Sequence, residues 1–353
     1  MVMKTLLVTG GCGFIGSHTC LSLLEKNFDV IVIDSNINSK NISLKKIIDI
    51  GKLQNRKFKD RLTFIKGDIR DKSLLENIFS NAIKNNKSIQ GVIHFAGLKS
   101  VEESEKNPLL YWDSNICGSI NLFKVMQKYE CQNIVFSSSA TLYGKTSKKL
   151  VSELDLLKPC NTYGKTKLLI ESILNEIFLS SEKKWKVANL RYFNPIGAHP
   201  SGLIGENPSD IPQNLFPYIC KVASGKFKKL KIYGNDWNTP DGTCVRDFIH
   251  VMDLAEAHIA AIDYLFANEP TVINLNIGTG EGTSVLKLVE TFIRVNQCVI
   301  PFTFSNPRMG DVPYLVADNK LATEILNWRP TRNIDEMCKD GWRWQKQNPN
   351  GFN

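Results

Sequence analysis

The chain has 353 residues, 42% of them apolar and 22% charged, a length that exceeds what one hydrophobic core usually serves and predicts two unequal domains with no disordered stretch. Its formal charge of +9 is scattered in small groups such as Lys45-Lys46, Lys183-Lys184 and Lys228-Lys229; without a basic, aromatic-studded platform this argues against nucleic acid and leaves a general attraction for an anionic substrate. Nine cysteines, dispersed from Cys12 to Cys338 and never spaced C-x-x-C, predict neither a disulfide framework nor a zinc site, so a reducing, cytoplasmic setting and no bound metal are expected.

The apolar run from Met1 to Val8 breaks at Thr9-Gly10-Gly11 and reads as a buried strand rather than a signal peptide. The sequons at Asn41 and Asn86 therefore carry no weight, and with no apolar run near the roughly 20 residues of a membrane span, no membrane association is expected. Short apolar runs at Thr5–Thr9, 30–34, Leu62–Lys66, 91–95, 134–137 and 185–191 alternate with amphipathic stretches. This rhythm predicts an α/β fold, a Rossmann-type doubly wound parallel sheet. From Asn194 the rhythm gives way to Pro- and Gly-rich loops, as in Asn194-Pro195-Ile196-Gly197 and Tyr233-Gly234-Asn235. Residues 1–193 are expected to form the dinucleotide-binding domain and 194–353 a smaller C-terminal substrate-binding domain. Segments near 245–280, with a helix over 253–267 and a strand at Val272–Ile277, are expected to return to the main sheet.

The first strand runs into Thr9-Gly10-Gly11-Cys12-Gly13-Phe14-Ile15-Gly16 and then into a helical pattern over 17–26. A tight turn needs Gly10, close approach of a pyrophosphate needs Gly13, and packing of helix on strand needs Gly16. The amides at the helix N-terminus then face phosphate. A second strand ends in Asp34, whose carboxylate suits the ribose 2′-hydroxyl of NAD and repels the 2′-phosphate of NADP. NAD is the predicted cofactor.

Tyr163 and Lys167 stand four residues apart on one predicted helix face, and of the nine tyrosines only Tyr163 has lysine at that spacing. For tyrosine to serve as a base at neutral pH its phenolate needs roughly 4 kcal/mol of stabilisation. A cation about 4 Å away at an effective dielectric of 20 supplies about that amount. Ser137-Ser138-Ser139-Ala140-Thr141 follows the 134–137 strand, at the edge of the expected cofactor crevice. Ser139 is the candidate hydrogen-bond partner of the reacting oxygen, and the other two serines are expected only to cap the turn.

These residues resemble the extended short-chain dehydrogenase/reductase family, which pairs TGxxGxxG with YxxxK, and within it the UDP-glucose 4-epimerases. The likeness runs nearly end to end through TGGCGFIGSHT, HFAGLKSVEES, FSSSATLYG, YGKTK, LRYFNPIGAHPSG, GTCVRDFIHVMDLA and NWRPTRNIDEM. The resemblance implies that Phe14, Ile15, Asp34, Asn38, Asp68, Ile69, Phe95, Ala96, Gly97, Lys99 and Ser114 line the NAD site, with Phe193 near the nicotinamide. It implies a UDP-sugar held by Lys99, Ser139, Thr141, Tyr163, Asn194, Asn214, Leu215, Tyr233, Arg246, Arg308, Asp311 and Leu315. Guanidinium forks at Arg246 and Arg308 suit a diphosphate, although each could equally form a surface ion pair. The family pattern has Gly where Glu102 stands and often Asn where Ser114 stands. A pocket position that is tyrosine in some members and small in others is Leu315, which predicts room for an N-acetylated sugar.

The implied reaction, part of galactose metabolism, is reversible inversion at C4 of UDP-galactose and UDP-glucose. It runs through a transient 4-keto sugar with no net redox change. A nucleotide-sugar 4,6-dehydratase shares the first step but needs an acid where this chain has Ala140 and Thr141. A non-catalytic NAD-sensing regulator would keep the glycines and Asp34 without needing Tyr163, Lys167 and Ser139 together. The helix beginning at Tyr163 is apolar over about half its circumference, more than the roughly 100° stripe that packing on a sheet requires. A homodimer built on this helix and the one near 115–129 is expected.

Overall fold

Parallel strands buried on both faces must be apolar on successive residues, and the first half of the chain obeys this. The computed structural model describes residues 3–208, 211–308 and 310–352; of the opening apolar run, Met1 and Val2 lie outside them. In chain order the strands are β1 Thr5–Thr9, β2 Asp29–Asp34, β3 Leu62–Lys66, β4 Ile89–His94, β5 Asn133–Ser139, β6 Leu150–Val151, β7 Lys186–Tyr192, β8 Asn194–Ile196, β9 Leu230–Tyr233, β10 Val245–His250, β11 Val272–Ile277, β12 Gly282–Ser284, β13 Phe302–Ser305 and β14 Tyr314–Ala317.

Seven of them form the main sheet in the order β11-β7-β5-β4-β1-β2-β3, every pairing parallel. Leu6, Val8, Val30, Val32 and Ile93 face one core with the helices Phe14–Glu25 and Val251–Ala267. Leu7, Ile33, Val92, Ile134 and Phe136 face the other, under the helices Lys72–Lys84, Gly118–Lys128 and Thr162–Ser180. Strand order reverses at β1, which pairs with β2 on one side and β4 on the other. Connections leaving to opposite faces open a crevice at the carboxyl ends of those strands.

β11 continues the sheet beyond β7, with Val272 opposite Val187 and Ile277 opposite Tyr192. β10 spans the junction to the second half of the chain. Its first residues pair with β14, setting Arg246 opposite Leu315, and its last three pair with β8. Beyond it β12 and β6 complete a small sheet, and β9 pairs with β13.

Two helices differ from the sequence expectation. The first begins at Phe14 rather than near residue 17, because Gly13, extended at φ −70° and ψ 177°, already serves as its N-cap. The continuous helix expected over 115–129 is instead the short helix Pro108–Tyr111, a π-helical turn Trp112–Cys117, and the helix Gly118–Lys128. That wide turn buries Asn115 while leaving Ser114 half-buried. Asn115 accepts from the Leu98 amide at 2.8 Å and donates to the Leu98 carbonyl at 3.0 Å, so it anchors the loop that follows β4. Turns of this kind recur at functional sites.

Candidate active site

The glycine turn is held by close backbone contacts. Gly10 has φ +70°, and a Cβ there would lie 2.8 Å from the Ala96 amide nitrogen. A Cβ on Gly16 would lie 2.4 Å from the Gly10 carbonyl oxygen, so nothing larger than glycine lets the helix start this close to β1. Gly13 differs, since a Cβ there would meet only that same oxygen at 3.3 Å; its free side faces a cavity of about 480 Å³. Asp34 is tied to this turn, accepting from the Cys12 amide at 2.9 Å, the Asn36 amide at 2.9 Å and the Ser39 hydroxyl at 2.7 Å.

Phe14, Ile15, Asn38, Asp68, Ile69, Phe95, Ala96, Gly97, Lys99 and Ser114 line the same cavity. Hydrogen bonds from Arg70 hold the Asp68 carboxyl below its ordinary range. Phe193 is not among the lining residues. It packs in a small cluster with Ala140, Tyr143, Val151 and Ala317, and Tyr192, the last residue of β7, reaches the cavity instead. Successive residues along a strand point to opposite sides, which accounts for the exchange.

The helix Thr162–Ser180 begins where Asn161 accepts from the Gly164 amide at 2.7 Å. Tyr163 and Lys167 both line the cavity. The Lys167 ammonium donates to the Ser137 carbonyl at 2.7 Å and to its hydroxyl at 3.2 Å, and lies 5.8 Å from the centre of the Tyr163 ring. Burial pushes the Tyr163 phenol up to about 12, opposed by a hydrogen bond from Ser139. Burial likewise brings Lys167 down to about 7, opposed by the Glu171 carboxylate. The sequence arithmetic, which gave the lysine charge the decisive role, thus omitted the larger effect. Desolvation disfavours the charged form of both groups at once.

The serines also divide their work differently from the expectation. Ser139 is the one that caps the turn, accepting from the Thr141 amide at 3.2 Å and hydroxyl at 3.0 Å, and its hydroxyl also acts on the Tyr163 phenol. Ser137 receives Lys167, and Ser138 donates to the buried carboxylate of Glu171.

Of the remaining substrate candidates, Asn214 lines the cavity and directly precedes the helix Leu215–Ala223 without a side-chain capping bond. Asn194 donates to the Asp247 carbonyl at 3.1 Å. Arg246, Asp311, Arg308 and Tyr233 gather apart from the lining residues. Arg246 lies 3.6 Å from the Asp311 carboxylate, and the Arg308 guanidinium lies 4.0 Å from the centre of the Tyr233 ring. Leu315 is half-buried against the cluster that holds Phe193.

One lining residue that sequence reasoning missed is Glu206, 3.5 Å from the Lys99 ammonium and 3.4 Å from the Asn214 amide nitrogen. Its only sequence signal is an acid inside the Gly205-Glu206-Asn207-Pro208 loop. Among the described residues no group of three or more His, Cys, Asp or Glu is placed to hold a metal, and no helix is long and apolar enough to cross a membrane.

A family model described as GDP-mannose 4,6 dehydratase matches residues 7–341. A UDP-glucose 4-epimerase of Cyamopsis tetragonoloba is 46% identical over 354 aligned residues, covering 100% of this chain and 98% of the relative. The crystal structure of UDP-glucose 4-epimerase from Stenotrophomonas maltophila, with bound NAD and formylated UDP-arabinopyranose, superposes with TM-score 0.91 at 41% identity over 99% of each chain. That from Bifidobacterium longum, in complex with NAD+ and UDP, gives TM-score 0.90 at 41% identity over 99% of this chain and 100% of its own. The dehydratase model describes the wider group; identity along whole chains, together with Ala140 and Thr141 where a dehydratase would carry its acid, narrows the assignment. This chain belongs to the UDP-glucose 4-epimerases, within the extended short-chain dehydrogenase/reductase family.

Proposed function

We propose that this chain interconverts UDP-galactose and UDP-glucose by inverting C4 of the sugar, with NAD held in the cavity throughout. The observation that carries this reading is one cavity lined by the glycine turn, Asp34, Tyr163 and Lys167 together. NAD fits those residues: Gly13 leaves room for a pyrophosphate against the helix N-terminus, and the Asp34 carboxylate, fixed by three donors, suits a ribose hydroxyl. Bound there, NAD would supply the hydride-transfer chemistry that oxidation and re-reduction at C4 require.

Tyr163 takes the proton of the sugar 4-hydroxyl and later gives it back, so the chain needs no second acid or base for net inversion. Lys167 supports the phenolate electrostatically, and the positive charge of an oxidised nicotinamide adds to the same effect. Ser139 holds the reacting oxygen. Arg246 and Arg308 grip the diphosphate, with Asp311 accepting from ribose hydroxyls, so remote binding retains the ketone while its sugar turns. Nine unpaired cysteines, six of them buried, support a reducing, cytoplasmic setting.

The protein is expected to convert UDP-galactose into UDP-glucose, and a 6-deoxy-4-keto product would instead support dehydration. Tyr163→Phe should retain NAD and lower kcat by roughly 10²–10⁴; preserved turnover would refute the assignment of the base.

Function here costs stability. The pKa of Lys167 falls from 10.5 to about 7 on folding, so between those values the folded chain binds fewer protons than the unfolded one and stability rises with pH. The cost is fully present below pH 7 and is lost by pH 10.5. Lys167→Met, though inactive, should therefore raise the unfolding free energy by about 5 kcal/mol at pH 6 and by little near pH 10. Equal effects at the two pH values in chemical denaturation would contradict this.

Leu315 lacks the bulk of a tyrosine ring, which supports admission of an N-acetylated sugar. Slow interconversion of UDP-N-acetylglucosamine and UDP-N-acetylgalactosamine is expected, and undetectable turnover would count against it. A homodimer is supported by the apolar surface on the helices Pro108–Tyr111 and Thr162–Ser180, where Leu109 is 81%, Leu169 40% and Leu179 58% exposed. Light scattering at micromolar concentration should give twice the chain mass; a monomer mass would reject the dimer.

A further inference from the structure

Behind the cavity lies a buried ion pair that the proposed chemistry does not use. Glu171, 6% exposed, follows Lys167 by one helical turn, and Arg191, 2% exposed, stands on β7; neither lines the cavity. The pair is bidentate: the guanidinium donates through Nε to Oε1 at 3.1 Å and through Nη2 to Oε2 at 2.7 Å. Oε1 also accepts from the Ser138 hydroxyl. The free arm of Arg191 donates to the Tyr143 hydroxyl at 3.2 Å and to the Glu153 carbonyl at 3.2 Å, and Tyr143 donates onward to Asn276 at 2.6 Å.

Stability alone does not explain such a pair. Desolvating two charges offsets much of their attraction, and apolar residues of similar volume often do as well or better. What apolar residues cannot do is fix one point of a strand against one point of a helix. Ser138 stands between Ser137, which receives the Lys167 ammonium, and Ser139, whose hydroxyl acts on the Tyr163 phenol against the effect of burial. The carboxylate that grips Ser138 sits on the same helix as Tyr163 and Lys167.

We propose that Glu171 and Arg191 are positioning residues for the proton-transfer pair, setting through Ser138 the register of the helix Thr162–Ser180 against β5. Glu171 also acts on the charge of Lys167, opposing the effect of burial. The other groups around that ammonium are Tyr163 on its own helix, Phe136 and Ser137 on β5, and His94 on β4. None of these carries a carboxylate, so among the described groups facing Lys167 only Glu171 supplies one.

The inference rests on the epimerase reading, and two variants test it with UDP-galactose as substrate. Ser138→Ala removes the link and leaves the ion pair intact. It should lower kcat about tenfold while KM stays within about twofold, since a small misplacement of reacting groups costs rate rather than binding. The double variant Glu171→Gln/Arg191→Met removes both charges together. It should melt near the wild-type temperature, lose at least about tenfold in kcat, and show its alkaline limb at lower pH, because Lys167 surrenders its proton more readily without the carboxylate.

Wild-type kcat in Ser138→Ala overturns the proposal, whatever the double variant does. A folded double variant with wild-type kcat and pH profile overturns it equally, because the pair would then be merely structural. A wild-type protein inert toward UDP-galactose would remove the epimerase reading itself, a result distinct from active wild type with unaffected variants.

Discussion

The bond from the Lys167 ammonium to the carbonyl oxygen of Ser137, 2.7 Å long, joins the two halves of the proposed catalytic arrangement. It forms only where the helix Thr162–Ser180 passes the carboxyl end of β5, and there β5 lies between β4 and β7. Those strands end beside the crevice that the reversal of strand order opens. Position follows from sheet topology, and sheet topology follows from apolar residues buried on both faces of every central strand. A lysine placed there exchanges water for a carbonyl, a hydroxyl and two aromatic rings. Its lowered pKa is the electrostatic consequence.

Much of this was legible from the sequence, for stated physical reasons. The glycine turn could be read because each glycine has a separate steric need, and the contacts at Gly10 and Gly16 are backbone contacts that no side chain could relieve. The buried strands could be read because apolar runs of four to seven residues, punctuated by turns, admit few alternatives. The tyrosine and lysine spacing could be read because four residues make one helical turn.

What escaped depended on partners distant in sequence. The π turn at Trp112–Cys117 breaks no propensity rule; it is stabilised by Asn115 pairing with Leu98 and donating to Thr166 at 3.2 Å. Three successive serines look alike on paper, yet the strand turns Ser138 toward Glu171 and Ser137 toward Lys167. The exchange of Phe193 for Tyr192 in the cavity lining is a matter of one residue's step past the end of β7, which turns the next side chain to the opposite side. Likewise Glu206 enters the cavity only because a loop of the second half of the chain folds back over Lys99. For Tyr163 and Lys167 the difference is energetic rather than geometric, because a charge pair visible in sequence carries no sign of its burial.

The breadth of the family and the narrowness of the assignment have the same physical origin. A sheet, a glycine turn and a buried tyrosine and lysine suffice to move a proton and a hydride at one carbon, and chemistry beyond that requires an additional acid within reach of the sugar. Ala140, buried in an apolar cluster with Tyr143 and Val151, and Thr141, whose hydroxyl is committed to Ser139, provide none at the turn after β5. Without an acid at that turn, return of the proton and hydride is favoured over elimination. On the proposed reading the diphosphate is a fixed pivot, and rotation of the sugar sets the face on which they return. Inversion at C4 then fits a site that can begin an oxidation and offers no acid at the turn after β5 with which to carry it elsewhere.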